Sequence, residues 1–373
     1  MNSSCKFHIN GIRKPIGSVK SLCGLLNLDL KTMNEILSNK HKYYKKRIVE
    51  KNNKSREVVN ITGYLRVALD NIKEVFFTNL SYPEYLQGGI KSRSYIQNAE
   101  AHSGQRILIS DDISNFYPSI SQDLVTETFQ YFFQLPNEVA IFMSDLCCYE
   151  GALTTGSPVS TYIANILFFD IEPEMVKCFQ SKGYTYTRFI DDITVSSKKY
   201  ITRNEITFIK QKVYGMLRKK GLKPNRYKHQ IMTPAVRMEV HGVVVNDKQI
   251  RPRASRLKKI ELELYNFGKQ CSSKTCKIGE VLNLYMKLQG KINNLILSGL
   301  PCEKTIEFRK RLIISLRLLD VQSIKKYIRS LRKIKNKQEY NKFMQKIAVL
   351  KKVSPEIRKI IFFEQKNYLK CST

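Results

Sequence analysis

"YTRFIDDITVSS", residues 186–197, sets two adjacent aspartates between runs of aromatic and β-branched residues. Strand-forming stretches disfavour aspartate, so the doubled charge needs a reason. Tyr184, Tyr186, Phe189, Ile190, Ile193 and Val195 suit two strands flanking a tight turn, with Asp191 and Asp192 at that turn. Well upstream, "QRILISDDISNFYPSI" (105–120) opens on the apolar run Ile107–Ile109, fitting a buried strand, and reaches Asp111-Asp112 before a turn-like Pro118-Ser119. A lone Asp-Asp pair says little, because aspartate is common in exposed turns. Two acidic strand ends paired in one sheet are different, because Asp112, Asp191 and Asp192 would then converge. Carboxylates side by side repel one another, more so when buried, unless a cation takes up the charge. Three of them make a site for hard, oxygen-seeking ions such as magnesium. Two such ions, roughly 3.5 to 4 Å apart, can activate an attacking hydroxyl and hold the leaving oxygen of a phosphoryl transfer.

The rest of the composition agrees with a polyanionic substrate. The chain has 373 residues with 64 Lys+Arg against 32 Asp+Glu, a formal charge of +32. A field of that sign gathers polyanions, and nucleic acid is the leading partner. A solvated basic face or an anionic membrane surface is the alternative on charge alone. No apolar run is long enough to cross a bilayer, and the best candidate, Ile163–Phe169, is far too short. The nine cysteines follow no apolar leader at the N-terminus and include no C-x-x-C pair, which points to a reduced, cytoplasmic protein without a disulfide framework or zinc ribbon. Cys147-Cys148 reads as core filling.

Residues 251–373 hold 30 Lys+Arg and 9 Asp+Glu, about two thirds of the excess charge. Here "RASRLKKIELELYNF", "IGEVLNLYMKLQGKINNLILSG" and "EKTIEFRKRLIISLRLLDVQSIKKYIRSLRKIK" place apolar residues at three- and four-residue spacing with basic residues between. A basic helical unit follows, either an ordinary bundle with solvated lysines or a surface on which Tyr265, Tyr285, Phe308 and Tyr327 track a nucleic-acid backbone. Further upstream, "KYYKKRIVEKNNKSREVVN" reads as a basic, partly strand-like hairpin between helices. "FQYFFQLPNEVAIFMSDLCCYEGAL" reads as a helical stretch, and Gly156-Ser157-Pro158 breaks the chain before another helix. Mixed α/β is the fold class.

Four segments taken in order, "DISNFYPSI" (112–120), "LTTGSPVSTYIAN" (153–165), "YTRFIDD" (186–192) and "GLKPNRYK" (221–228), resemble successive palm motifs of the reverse transcriptases. "NAEAH" (98–102) is similar to the Asn-Ala-x-x-His signature of retron reverse transcriptases, and "VHGVVVN" (240–246) stands where that family usually has Val-Thr-Gly. "GGIKSRSYIQ" and "CCYEGAL" are also similar to that family, so the recognisable motifs lie within about residues 40–260.

The resemblance implies a right-hand polymerase fold with N-terminal helices and fingers over 1–105, a palm over 106–245, and a basic helical, RNA-binding thumb over 246–373, with no stretch left for an RNase H domain. It implies two magnesium ions on Asp112, Asp191, Asp192 and the Ile113 carbonyl. Tyr117 would be the ring that excludes a 2′-hydroxyl; a core tyrosine is the competing reading. Gly156 and Ser157 would let the backbone approach base and template. Arg56 would clamp the triphosphate with its forked donors, unless it is one solvated charge among many. Lys228 would protonate the leaving pyrophosphate, unless it is a surface lysine. Asn98 and His102, four apart on one helix face, would either brace the palm or serve RNA recognition, together with His241, Gly242, Arg251 and Arg253.

The implied partners are deoxynucleoside triphosphates, a structured noncoding RNA as both template and primer, the branched RNA–DNA hybrid product and a separate effector protein in an antiphage system, with no membrane. Three departures stand out. Thr154-Thr155 precede the glycine where Pro-Gln is usual, Phe189-Ile190 replaces Tyr-Ala, and His241 replaces threonine. Another defence or group II intron-like reverse transcriptase, or a silent RNA-binding scaffold, are the alternatives.

Overall fold

A computed structural model describes residues 7–9, 16–51, 54–273, 275–334 and 336–372. Internal contacts divide the chain into two compact units, residues 1–241 with 245–248 and residues 242–244 with 249–373.

The first unit opens with helices α1 (Val19–Leu25) and α2 (Leu30–Ser38), capped by the Ser18 and Asp29 side chains. The basic hairpin follows as β1 (Tyr44–Lys51) and β2 (Lys54–Ile61), in register from Tyr44 opposite Ile61 to Lys51 opposite Lys54. Then come α3 (Gly63–Ile72), α4 (Tyr95–Ala101), β3 (Ile107–Asp112), α5 (Gln122–Phe132), α6 (Asn137–Cys147), α7 (Ser160–Ile166) and α8 (Glu172–Ser181). Strands β4 (Tyr184–Phe189) and β5 (Asp192–Ser197), helix α9 (Arg203–Lys219) and strand β6 (Gln230–Met232) complete the unit's main elements. The central antiparallel sheet runs β6-β3-β5-β4.

The stretch 129–153, expected as helical, is two helices and a hairpin. Helix α5 ends at Phe132, the chain turns through Gln134 at φ +54°, and Pro136, which cannot continue a helical ladder, stands just before α6. Cys148–Tyr149 then folds back on Ala152–Leu153 around Glu150 and Gly151, both at positive φ. Cys147 and Cys148 are buried in the core, where burial pushes their thiol pKa values up.

Period-two alternation gives the sheet two chemically different faces. Ile109, Ile193, Val195 and Tyr186 fall on one face and are buried in the unit's core. Ser110, Asp112, Thr187, Asp192, Thr194 and Ser196 fall on the other. Strands β4 and β5 are joined by Ile190 and Asp191, and Ile190 takes φ +62°. Two-residue hairpins need such a residue, usually glycine, and a β-branched side chain there stores roughly 1–3 kcal/mol of strain.

In the second unit, β7 (Val243–Val244) pairs with β8 (Arg251–Pro252). Helices α10 (Ala254–Ser272), α11 (Ile278–Leu297), α12 (Cys302–Leu316), α13 (Val321–Arg329), α14 (Lys337–Ala348) and α15 (Pro355–Ser372) follow. The long helical stretch from 303 breaks where the Asp320 side chain caps α13, accepting from the Ser323 N–H at 2.7 Å. Of the four aromatics considered for a nucleic-acid surface, Tyr285 and Phe308 are core residues and Tyr327 packs against that core; Tyr265 alone is exposed. Burying the large aromatic areas of Tyr285 and Phe308 in this core removes them from water. Among the described residues no helix is long and apolar enough to cross a membrane.

The units have separate cores, Phe129 being fully buried in the first and Phe308 in the second. Phe308→Ala is expected to cost about 3–5 kcal/mol, measured as lost hydrogen-exchange protection in α10 to α12. Phe129→Ala should place its loss in α5 and α6 instead.

Candidate active site

The two acidic segments meet. Asp112 closes β3, Asp192 opens β5, and the register makes them direct cross-strand partners. Asp191, in the adjoining turn, accepts the Ile113 N–H through its carbonyl at 3.1 Å, which ties the two strand ends together. Strand alternation separates the doubled aspartates of β3. Asp112 shares the polar face with Asp192, whereas Asp111 turns away and its Oδ1 bonds the Tyr214 hydroxyl at 3.1 Å and His229 Nδ1 at 2.8 Å.

The segment 221–228 closes on Asp112. Lys228 Nζ donates to Asp112 Oδ1 at 2.6 Å, Asn225 Nδ2 donates to Oδ2 at 3.2 Å, and the Asn225 N–H reaches the Asp112 carbonyl at 2.7 Å. That bond to Asp112 is the main cause of a raised Lys228 pKa, so its ammonium stays charged. Asp192 moves the other way for an acid. Burial first, then the neighbouring charges of Asp191 and Asp112, push its pKa up to about 7. Carboxylates held this close favour a nearby positive charge, and an all-oxygen donor set suits a hard divalent cation. Among the described residues no three such side chains already surround a common point; Lys228 is the cation seated on Asp112.

Behind the aspartates, the polar face is held by two histidines. His102 is fully buried, with Nδ1 2.7 Å from Ser196 Oγ and Nε2 2.8 Å from Thr187 Oγ1, so one ring spans β4 and β5. Burial pushes its pKa down to about 3, and a neutral ring with one donor and one acceptor matches two hydroxyls. Asn98, its companion in "NAEAH", is equally buried, but neither end of its amide has a hydrogen-bond partner among the described residues. His241 packs against Phe189, with ring centroids 4.5 Å apart and planes tilted by 52°, and sets Nδ1 3.6 Å from Asp192 Oδ2. The departures at 189 and 241 are therefore one contact.

The reverse transcriptase (RNA-dependent DNA polymerase) family matches residues 12–251 of this chain. The chain belongs to the reverse transcriptase family. It is similar to the retron Se72 reverse transcriptase of Salmonella heidelberg (strain 579083-10), 34% identical over 219 residues, covering 58% of this chain and 58% of that protein's own length. It is also similar to the retron Ec48 reverse transcriptase of Escherichia coli, 28% identical over 313 residues, covering 80% of this chain and 76% of that protein. Within the family, then, it is of the retron type, and its fold is the mixed α/β polymerase fold. A solved telomerase from Candida albicans, in complex with a telomeric RNA fragment, aligns with a TM-score of only 0.42 at 10% identity over 90% of this chain and 68% of that one, and carries no argument.

In this reverse transcriptase the Tyr117 hydroxyl lies 3.0 Å from Thr161 Oγ1, and burial raises its pKa, with the nearby Asp191 charge adding to the effect. Gly156, at φ +89°, abuts the β1–β2 hairpin, where a Cβ would stand 2.1 Å from the Val59 carbonyl oxygen. Ser157 Oγ accepts the Val159 N–H at 3.4 Å. Arg56 pairs with Val49 in that hairpin, but its side chain lies outside the described residues. Gly242, Arg251 and Arg253 belong to the second unit, with Arg251 opposite Val244 in the short hairpin and Arg253 at the start of α10. Sequence reasoning passed over Asn225, Arg188 and Glu172. Arg188 stood inside a quoted motif, and a charged residue at an inward strand position was the available signal.

Asp192 supplies a pH signature. Because its pKa is raised on folding, the folded chain keeps a proton that the unfolded chain releases. Its contribution to stability is complete below about pH 4 and is lost as pH rises through about 7. Asp192→Asn is therefore expected to raise the Tm of metal-free protein at about pH 8 and to leave it nearly unchanged at about pH 4, read by calorimetry.

Proposed function

We propose that this chain is the RNA-directed DNA polymerase of a retron. It copies part of a structured noncoding RNA into DNA by joining a hydroxyl to the α-phosphate of a deoxynucleotide and releasing pyrophosphate. The observation that carries this reading is the cross-strand pairing of Asp112 with Asp192 at one sheet end, beside Asp191. Asp112, Asp191, Asp192 and the Ile113 carbonyl would hold two magnesium ions. Bound there, the metal supplies Lewis-acid activation of the hydroxyl and neutralises phosphate charge.

The chain's own residues do the rest. Lys228, kept protonated by Asp112, holds a proton for the departing pyrophosphate. Tyr117, with its hydroxyl anchored to Thr161, presents a fixed ring that crowds a 2′-hydroxyl and so selects deoxynucleotides. Gly156 and Ser157 form the turn against which base and template lie, and Arg56 clamps the triphosphate. His102 braces the strands that carry the aspartates.

The likeness to retron reverse transcriptases supports the finer reading. Template and primer are one folded RNA, synthesis starts from a 2′-hydroxyl, and the product is a branched RNA–DNA hybrid (msDNA) that acts in the cytoplasm with a separate effector protein in antiphage defence. Asn98 and His241 in the first unit, and Gly242, Arg251 and Arg253 in the second, serve recognition of that RNA, and the second unit's basic helices suit a phosphate backbone.

Primer extension on an RNA template tests this. Asp112→Asn and Asp192→Asn are each expected to lower kcat on the order of 10³-fold, comparable to losing a principal charge stabiliser. Equal DNA yield from either variant and the wild type would contradict it. Tyr117→Ala should keep DNA synthesis and admit ribonucleotides. Sequencing RNA that copurifies should yield one compact hairpin RNA; intron RNA would point to a maturase instead.

A further inference from the structure

Arg188 stands in β4 two residues before the strained turn, and its partner Glu172 opens α8. Their side chains are 0% and 1% exposed. Enclosing an ion pair is costly, and apolar residues of similar volume often serve stability as well or better. The pair therefore asks for a reason in its geometry.

The hydrogen bonds of Arg188 run to three separate places. Nε and Nη2 grip the two oxygens of Glu172 at 2.7 and 2.8 Å. Nη2 and Nη1 reach the carbonyls of Asn165 and Ala164, at the end of α7, at 2.9 and 3.3 Å. Nη1 also reaches the Ile190 carbonyl at 3.1 Å. Glu172 is itself pinned, since Oε1 accepts the Tyr186 hydroxyl at 2.6 Å. Helix α7 follows directly on the Gly156-Ser157 turn and carries Thr161, the anchor of Tyr117. The Ile190 carbonyl belongs to the peptide that leads into Asp191. A second tie runs beside the first. Asn165 Nδ2 donates to the Gly88 carbonyl at 2.8 Å, and Gly88 is so close to Ile190 that a Cβ would stand 2.6 Å from its Cγ1.

We propose that Arg188, clamped by Glu172, is a positioning residue that locks the Ile190–Asp191 turn to the end of α7, so that the metal-binding carboxylates and the nucleotide-facing turn keep one fixed geometry. This rests on the polymerase reading above and deepens it. A planar fork with five donors meets three targets at once, which a lysine ammonium on a flexible stem does not. The brace also explains how an isoleucine is kept at a left-handed turn position, because a carbonyl held from behind cannot flip to relieve the strain.

Two full-length variants test it. Arg188→Lys keeps a charge facing Glu172 and loses the fork. The double variant R188M/E172M replaces the pair with apolar side chains. Each is assayed by thermal melting, by steady-state primer extension over series of nucleotide and Mg²⁺ concentrations, and by Mn²⁺ binding followed by electron paramagnetic resonance without nucleic acid.

At least one variant should melt like the wild type yet show kcat lowered about tenfold or more, KM for the nucleotide changed far less, and weaker Mn²⁺ binding. A folded variant with wild-type kcat and metal affinity would overturn the proposal. Loss of cooperative melting in both would do so too, since the pair would then be needed for folding rather than for the site. A wild-type protein that makes no DNA would count against the polymerase reading instead, while Mn²⁺ affinity still decides whether Arg188 positions the carboxylates.

Discussion

The mutual repulsion of carboxylates at one sheet end is the constraint around which this molecule is organised. Pairing β3 with β5 sets Asp112 opposite Asp192, and the turn adds Asp191. Such a cluster raises the free energy of the fold near neutral pH, through the same burial and like-charge repulsion that push the Asp192 pKa up. The cluster is half-open to solvent at Asp192, and the surrounding structure offsets the rest of the conflict with hydrogen bonds and charge. It seats Lys228 on Asp112, fixes the backbone behind it through Asn225, and turns the adjacent Asp111 to the other face. A site held in this condition has an affinity for cations built into it, and phosphate chemistry is what oxygen-bound divalent cations serve best.

Rigidity of the cluster comes from two sides of one sheet. On the polar face a neutral, buried His102 joins β4 to β5 through Thr187 and Ser196. On the opposite face, Arg188 and Glu172 connect the turn to α7 and α8. Hydroxyls bonded to a neutral ring suit a layer that must not add charge next to three carboxylates. The ion pair lies on the far side, where its near-neutral sum disturbs them little. Phe189 and His241 pack ring against ring beside Asp192, so the two departures from the usual motif residues share one contact. Gly88, pressed against Ile190, and Gly156, pressed against Val59, mark where backbones must approach so closely that no side chain fits.

The sequence by itself determined the strand ends, the aspartates that meet there and their order along the chain, because period-two alternation, turn chemistry and the four ordered motifs are local properties. It also located the basic hairpin and the helical C-terminal third. It misjudged what depends on neighbours distant in the chain. A stretch read as continuous helix broke near Leu135-Pro136, and of the two readings left open for the C-terminal aromatics the core took Tyr285 and Phe308, since helical spacing says which residues share a stripe and not what covers it. Only the tertiary structure decided that Asp111 turns to Tyr214 and His229, that His102 spans two strands while Asn98 finds no partner among the described residues, and that Arg188 ties the aspartate turn to α7. Those outcomes are set by register and by which hydrogen-bonding groups burial leaves within reach of one another, and neither quantity exists until the strands have paired.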